Sequence, residues 1–178
     1  MMERFEIVEL DAEGAAKSVP QLAGLLLDCV EGGASVGFMW PLARSKAEAF
    51  WEGVAAAVAR NETFLLVARD ASGIAGTVQL KLALMENQPH RADVSKLLVH
   101  RRARRGGLGE ALMRRVEELA ADRGRRVLVL DTATPEAERL YARTGWQRCG
   151  EIPDYALMPD GSLCETVVYW KHLGPPRR

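Results

Sequence analysis

Alternating apolar and polar residues predict seven strands along the chain. Residues 5–10 form a short first strand. Residues 63–69 and 74–84 form a hairpin, because the Asp-Ala-Ser-Gly sequence between them has turn chemistry at hairpin length. The other predicted strands are 93–100, 126–131, 146–150 and 165–170. Residues 126–131 are a nearly unbroken apolar run, which is typical of a strand buried on both faces.

Segments with helical periodicity lie between these strands. Capping-box sequences that begin at Ser18 and Ser45 predict the first turns of two helices. Four helices are predicted, over residues 18–31, 45–59, 107–123 and 135–144. The order of elements is therefore strand, two helices, three strands, helix, strand, helix and two strands.

This order predicts a mixed α/β fold in a single domain over residues 1–178. No internal repeat, low-complexity tract or linker divides the chain. The strand–helix–strand unit from Asp93 to Asp131 should hold a parallel pair of strands joined by a right-handed crossover.

Composition narrows the classes of partner. Of the 178 residues, 48% are apolar and 27% charged, and 24 basic residues balance 24 acidic ones. A net charge of zero argues against nucleic acid or an anionic membrane as the main partner, because phosphate binding needs a basic surface. The first residues lack the pattern of a signal peptide, so we expect a cytoplasmic protein. The three cysteines and three histidines lack the spacing of a metal site, so no metal is expected.

The segment from Val99 to Gly109 is the most informative stretch for function. A buried strand ends, a glycine-containing turn with four arginines follows, and an amphipathic helix begins at Gly107. Free backbone N–H groups at a helix start, together with the helix dipole, favour an anion. The same sequence is also compatible with a solvated basic turn. The glycine spacing fits neither the nucleoside-triphosphate P-loop nor the dinucleotide fingerprint.

Arg104-Arg105-Gly106-Gly107-Leu108-Gly109 resembles the Arg/Gln-x-x-Gly-x-Gly/Ala signature of the GNAT superfamily of N-acetyltransferases. The resemblance implies a seven-stranded, mostly antiparallel sheet with a splayed parallel pair (strands 4 and 5) and about four helices. It implies that acetyl-CoA is the cosubstrate. Residues 104–109 would bind the coenzyme's pyrophosphate through backbone N–H groups, and Leu97, Leu98 and Val99 would pair with its pantetheine arm.

Residues 134–146 resemble a second element of the same family, Asn-x-x-Ala-x-x-x-Tyr-x-x-x-Gly-Phe. Ala137, Tyr141 and Gly145 keep their spacing, whereas Thr134 stands in place of the asparagine that contacts the coenzyme in many members. The resemblance implies a coenzyme-binding role for Thr134, Ala137 and Tyr141. Within the superfamily, residues 89–99, 130–132 and 159–171 look like the tabtoxin-resistance type, which acetylates a small β-lactam amino acid.

Acetyl transfer to an amine needs a polarised carbonyl, a base for the ammonium and an acid for the thiolate. Backbone N–H groups near Leu98 or Val99 would polarise the carbonyl. Tyr141 is the candidate acid, although a tyrosine on an amphipathic helix also fits a core position. Asp93 and Asp131 are the candidate bases, with Asp131 expected to be desolvated at its strand end. Both carboxylates are also compatible with structural roles, and Glu86 is a weaker candidate.

The function predicted from these residues is acetyl transfer from acetyl-CoA to the primary amine of a small molecule. The alternatives are a protein or peptide N-terminal acetyltransferase and a coenzyme-A-binding sensor without catalysis. A pocket closed by the glycine loop 31–37 would favour a small acceptor, and an open, flat cleft would favour a peptide. Acceptor contacts are expected from residues 36–40 and 153–158, and the resemblance also allows for a homodimer.

Overall fold

The structure, a computed structural model, describes residues 5–174 and contains one sheet of seven strands. The strands are β1 (Glu6–Leu10), β2 (Thr63–Asp70), β3 (Gly73–Leu82), β4 (Arg91–Val99), β5 (Val127–Thr132), β6 (Gln147–Leu157) and β7 (Leu163–His172). Their spatial order is β1-β2-β3-β4-β5-β7-β6, and every pairing is antiparallel except β4 with β5. The predicted α/β class, the seven mostly antiparallel strands and the parallel pair are confirmed.

Four α-helices flank the sheet and divide its core in two. They are α1 (Ala12–Glu31), α2 (Arg44–Ala59), α3 (Leu108–Asp122) and α4 (Pro135–Arg143). α1 and α2 pack on one face with Leu65 and Val67 of β2. α3 and α4 pack on the other face with Leu66 and Ala68 of the same strand, as the period of two in a strand requires. No helix within residues 5–174 is long and apolar enough to cross a membrane.

The predicted starts of α1 and α2 are wrong in their capping residues. α1 begins six residues before its predicted capping box, and its N-cap is Asp11, whose carboxylate accepts a hydrogen bond from the backbone N–H of Gly14 at 2.7 Å. Pro20 therefore lies inside the helix, where it cannot donate the backbone hydrogen bond that another residue would make to the preceding turn. α2 begins at Arg44 without a side-chain cap, although its predicted extent is confirmed.

The last two strands are longer than predicted. β6 continues through Pro153, which was expected in a loop, and the pairing with β7 is irregular between Ile152 and Ala156. β6 is the edge strand of the sheet, where a proline and a bulge are both tolerated because one side of the backbone has no partner strand.

β4 carries one residue more than β3 does over the same stretch. The step from Ser95 to Leu98 in β4 faces the shorter step from Thr77 to Gln79 in β3, and Lys96 lies inside this bulge with a backbone φ of 51°. Because of the extra residue, even-numbered side chains of β4 lie on one face of the sheet before the bulge and on the other face after it. Val94 before the bulge belongs to the α3 core, and Leu98 after it, also an even-numbered position, belongs to the α1–α2 core.

The bulge also marks the place where β4 leaves β5. Their parallel pairing joins Arg91–Asp93 to Val127–Val129, and β4 beyond these residues pairs with β3. The two strands therefore splay apart, and the backbone edge of β4 that faces β5 has lost its strand partner there. This gap positions the candidate site.

Candidate active site

A cavity of about 800 Å³ runs through the gap between β4 and β5. It brings together ten of the twelve predicted coenzyme-binding residues, namely Leu97, Leu98, Val99, Arg104, Arg105, Gly107, Leu108, Gly109, Thr134 and Ala137. Gly106 and Tyr141 are not among its lining residues. The cavity also contacts the C-terminal end of α1 through Cys29 and residues 32–34, which the sequence did not predict, because nothing in a helix terminus indicates which loop it will face.

The start of α3 has the geometry of an anion site. Its N-cap is Gly107, with φ of 80° and no side chain to accept the first backbone N–H groups. A Cβ at Gly107 would meet no heavy atom within 4 Å, so the backbone there borders open space. Arg105 also adopts a left-handed φ, 63°, a conformation that glycine adopts without strain. The turn therefore offers unpaired N–H groups and the positive end of a helix dipole to the cavity.

The four arginines of this turn divide into two pairs. Arg101 binds the carboxylates of Asp28 and Glu31 on α1, and Arg102 binds Asp70 in the β2–β3 turn. These two arginines hold the turn in place, because their charges are already paired with carboxylates. The lining of the cavity includes the other two, Arg104 and Arg105.

The hydrogen bond that Asp28 makes also shapes its ionisation. Burial opposes its charged form, but hydrogen bonds from the backbone N–H and the guanidinium of Arg101 outweigh burial and lower the pKa of Asp28. This carboxylate joins the end of α1 to the turn that precedes α3.

The splayed edge of β4 presents backbone groups to the cavity. The N–H of His100 donates to the carbonyl oxygen of Ala75 in β3 at 2.9 Å. Because successive N–H groups of a strand point to opposite sides, the N–H of Val99 points away from β3, into the gap. The carbonyl oxygen of Val99 accepts from Arg104 Nε at 3.1 Å and from Cys29 Sγ at 3.6 Å. Of the two predicted oxyanion donors, Leu98 and Val99, the alternation favours Val99.

Tyr141 lies on the opposite face of the sheet from α1. It is 6% exposed, and its ring packs 6.0 Å from that of Trp146 and 5.6 Å from that of Tyr169, measured between centroids. Its hydroxyl makes no hydrogen bond to the part of the chain that the structure describes. Burial, and then the nearby charge of Asp131, raises the pKa of Tyr141, so that the phenol holds its proton.

A second cavity, of about 330 Å³, brings Asp93 and Asp131 together. Asp93 pairs with Arg91 at 2.8 Å, whereas Asp131 accepts a hydrogen bond from Thr166 Oγ1 at 2.9 Å and has no ion pair among residues 5–174. Asp131 is exposed, so the desolvation expected at its strand end is not found. Glu86, the weaker candidate, lies exposed in the loop between β3 and β4 and lines neither cavity.

The loop after α1 contacts the turn between β6 and β7, next to the two segments expected to contact the acceptor. The N–H of Trp40 donates to the carbonyl of Pro159 at 3.1 Å, and Ser35 Oγ lies 3.7 Å from Cys164 Sγ. The loop after α1 is thus tied to the β6–β7 turn. Tyr155 and Met158 of the second segment line the second and the first cavity, respectively. Among the described residues, no group of three or more His, Cys, Asp or Glu side chains could hold a metal ion.

Comparison with known proteins identifies relatives of the whole arrangement. A family model described as an acetyltransferase (GNAT) domain matches residues 41–154. An uncharacterized N-acetyltransferase in the hisH-hisA intergenic region of Azospirillum brasilense is 38% identical over 151 residues, which cover 84% of this chain and 83% of that protein.

Solved structures repeat the fold at low identity. YncA of Salmonella typhimurium, with its cofactor acetyl-CoA, superposes with a TM-score of 0.74 at 15% identity, over 99% of this chain and 98% of its own. Ribosomal-protein-alanine N-acetyltransferase of Brucella melitensis gives a TM-score of 0.75 at 21% identity, over 94% and 99%. At these identities the similarity establishes the architecture described above.

Proposed function

The chain belongs to the GNAT family of acetyltransferases, and on that premise we propose that it acetylates the primary amine of a small molecule by direct attack in a ternary complex. It is an acyltransferase with acetyl-CoA as cosubstrate. One observation carries the proposal. Consecutive stretches of β4 line a backbone-rich cavity at the start of α3 and an acidic cavity that contains Asp93 and Asp131.

The residues of the first cavity fit the coenzyme's chemistry. A pyrophosphate needs N–H donors and positive charge, which the start of α3 and the side chains of Arg104 and Arg105 supply. A pantetheine amide needs an unpaired strand edge, which Leu97 and Val99 supply where β4 leaves β5. Thr134, whose Oγ1 accepts the N–H of Ala137 at 3.4 Å, caps α4 beside the same cavity.

Three groups then perform the transfer. The N–H of Val99 stabilises negative charge on the thioester oxygen as the amine attacks. Asp131 attracts the ammonium and accepts its proton directly or through water, because no cation in the described chain pairs with it. Arg91 already neutralises Asp93, which leaves Asp93 the supporting role. Tyr141 holds its proton at neutral pH because burial raises its pKa, and it is the candidate donor of the proton that the departing thiolate takes up.

The contact between the loop after α1 and the β6–β7 turn favours a small acceptor over a peptide. The contacts of Trp40 with Pro159 and of Ser35 with Cys164 join this loop to the β6–β7 hairpin, and two joined segments leave less room for an extended chain than two separate ones. An N-terminal acetyltransferase remains the second candidate, because the Brucella melitensis neighbour acts on a ribosomal protein by its name.

Thermal unfolding with and without saturating acetyl-CoA tests the coenzyme site. A ligand at about 100 times its dissociation constant adds about 2.7 kcal/mol, which raises the midpoint by several degrees. ATP and NAD at equal concentration should give no rise. Thiol release in the presence of a panel of amines and amino-terminal peptides then separates the two acceptors. A midpoint rise without thiol release from any of them would make the chain a coenzyme sensor.

A further inference from the structure

The acidic cavity is lined by Lys81 and Ser95 as well as by carboxylates, and further donors lie beside it on the same face of the sheet. Gln79 of β3 lies directly opposite Ser95 of β4, and Lys81 lies opposite Asp93, so these side chains share one face of the sheet. Asp131 extends from the same face two residues beyond Val129, the partner of Asp93. This is the face that α1 and α2 cover at β2 and β3.

Two of these donors are buried without a partner. Gln79 is 3% exposed and its Nε2 has no hydrogen-bond partner in the described chain, and the same is true of the buried Ser95 Oγ. Ser95 lines the acidic cavity. A buried amide or hydroxyl without a partner costs free energy, which a ligand with acceptor oxygens offsets.

Lys96 supplies a positive charge beside them. The bulge gives its backbone the left-handed φ, and its ammonium lies over the ring of Phe50 at 5.6 Å from the centroid. The ammonium makes no salt bridge or hydrogen bond within residues 5–174. Burial lowers the pKa of Lys96, Lys81 lowers it further, and Asp131 acts in the opposite direction. A buried cation with an aromatic ring as its contact lacks the anion that would offset its desolvation.

We propose that Lys96, Ser95 and Gln79 bind a carboxylate of the acceptor, so that the acceptor is a zwitterionic amino acid whose amine lies at Asp131. The two charges of such a molecule match Asp131, which lines the cavity, and Lys96, which lies close enough to interact with it electrostatically. A simple amine would satisfy Asp131 and leave the donors unpaired. The inference rests on the proposed function, because it specifies the acceptor class of the same site.

The test compares matched pairs of acceptors. Thiol release is measured with phenylalanine and phenethylamine, leucine and isoamylamine, and methionine and its decarboxylated amine. Wild type should acetylate the amino acid of a pair with a kcat/KM about 10- to 100-fold above that of the amine, as a hydrogen bond to a charged group implies. Lys96→Met should reduce the amino acid's kcat/KM to the level of the amine and leave the amine's value unchanged.

Two further variants make the result specific. Lys96→Arg keeps the charge and should retain most of the preference for the amino acid. Lys46→Met changes an exposed lysine of α2 and should behave as wild type. If Lys96→Met lowers kcat/KM equally for both members of each pair, or if wild type has no preference, the inference is overturned.

Failure of the proposed function gives a different result. If no acceptor releases thiol although acetyl-CoA raises the unfolding midpoint, acetyl transfer to small amines is disproved. The carboxylate site is then tested by calorimetric titration of N-acetylphenylalanine and N-acetylphenethylamine into wild type and Lys96→Met. The site is supported if wild type binds N-acetylphenylalanine at least tenfold more tightly than N-acetylphenethylamine and if Lys96→Met loses this difference. Equal affinities for the two probes contradict it.

Discussion

The two cavities along β4 differ in the groups that line them: backbone groups in one and side chains in the other. The coenzyme cavity depends on the backbone of one continuous stretch, from the splayed edge at Leu97 to the start of α3 at Gly107. The acidic cavity depends on side chains that five separate strands bring together, including Lys81, Asp93, Asp131, Tyr155 and Thr166. A site made of backbone groups tolerates changes of side chain, as Arg105 in a left-handed conformation illustrates. A site made of side chains changes its ligand with each substitution.

Tyr141→Phe should have the largest effect, because Tyr141 is the proposed acid for the departing thiolate. We expect kcat to fall by about 100-fold or more, with the acetyl-CoA dissociation constant nearly unchanged, since general acid catalysis contributes at least that much. Tyr169→Phe is the matched control, since its ring packs in the same cluster and its hydroxyl donates to Glu138. Equal turnover in wild type and Tyr141→Phe would remove Tyr141 from the acid role.

Gly107→Ala tests the coenzyme cavity alone. We expect the acetyl-CoA dissociation constant to rise about tenfold or more, because a Cβ would occupy the space where the backbone meets the pyrophosphate. Gly124→Ala is the control: Gly124 also has a positive φ, 71°, and open space around its Cβ position, but it lies just beyond the other end of α3. Both variants should lose a similar stability of about 1 kcal/mol. Coenzyme titration should distinguish them, and equal affinities would contradict a site at Gly107.

Asp131→Asn tests the acidic cavity alone. The amide oxygen can still accept the hydrogen bond of Thr166, but the negative charge and the proton acceptor are lost. We expect kcat/KM for the acceptor to fall about tenfold or more while coenzyme affinity stays the same. Asp93→Asn should have a smaller effect, because Arg91 already offsets that charge. If Asp93→Asn lowered kcat/KM more than Asp131→Asn does, Asp93 would be the proton acceptor and Asp131 the supporting carboxylate.

Asp28→Asn should give the smallest effect, on stability. The lowered pKa of Asp28 means that its contribution is present above the unfolded value of 3.8 and is lost as pH falls through the folded value. We expect a loss of about 1–2 kcal/mol near pH 7 that shrinks toward zero below about pH 4, measured by urea unfolding. Glu31→Gln, which removes a more exposed contact to Arg101, should cost about half or less. A loss that is independent of pH would contradict the ionic origin.

The sequence predicted what depends on local pattern. Helix periodicity, the turn before α3 and the order of elements along the chain follow from residues close together, whereas the seven-stranded sheet and the coenzyme-binding residues were inferred from the family resemblance. The bulge at Lys96 was not predictable in this way, because a lysine with positive φ has no sequence signature. The orphan donors on Gln79 and Ser95 were missed for a related reason. Only the register between β3 and β4 places them side by side.

The bulge can finally be considered as an insertion of one residue. If β4 had one residue fewer, it would pair with β3 without a register shift. Every side chain after the bulge would then lie on the opposite face of the sheet from the one it occupies now. The side on which the residues after the bulge lie and the orientation of Lys96 thus share a single origin. We therefore expect chain length at this position to matter more than residue identity. An alignment of descendants should show substitutions at residues 95–98 but no insertions or deletions.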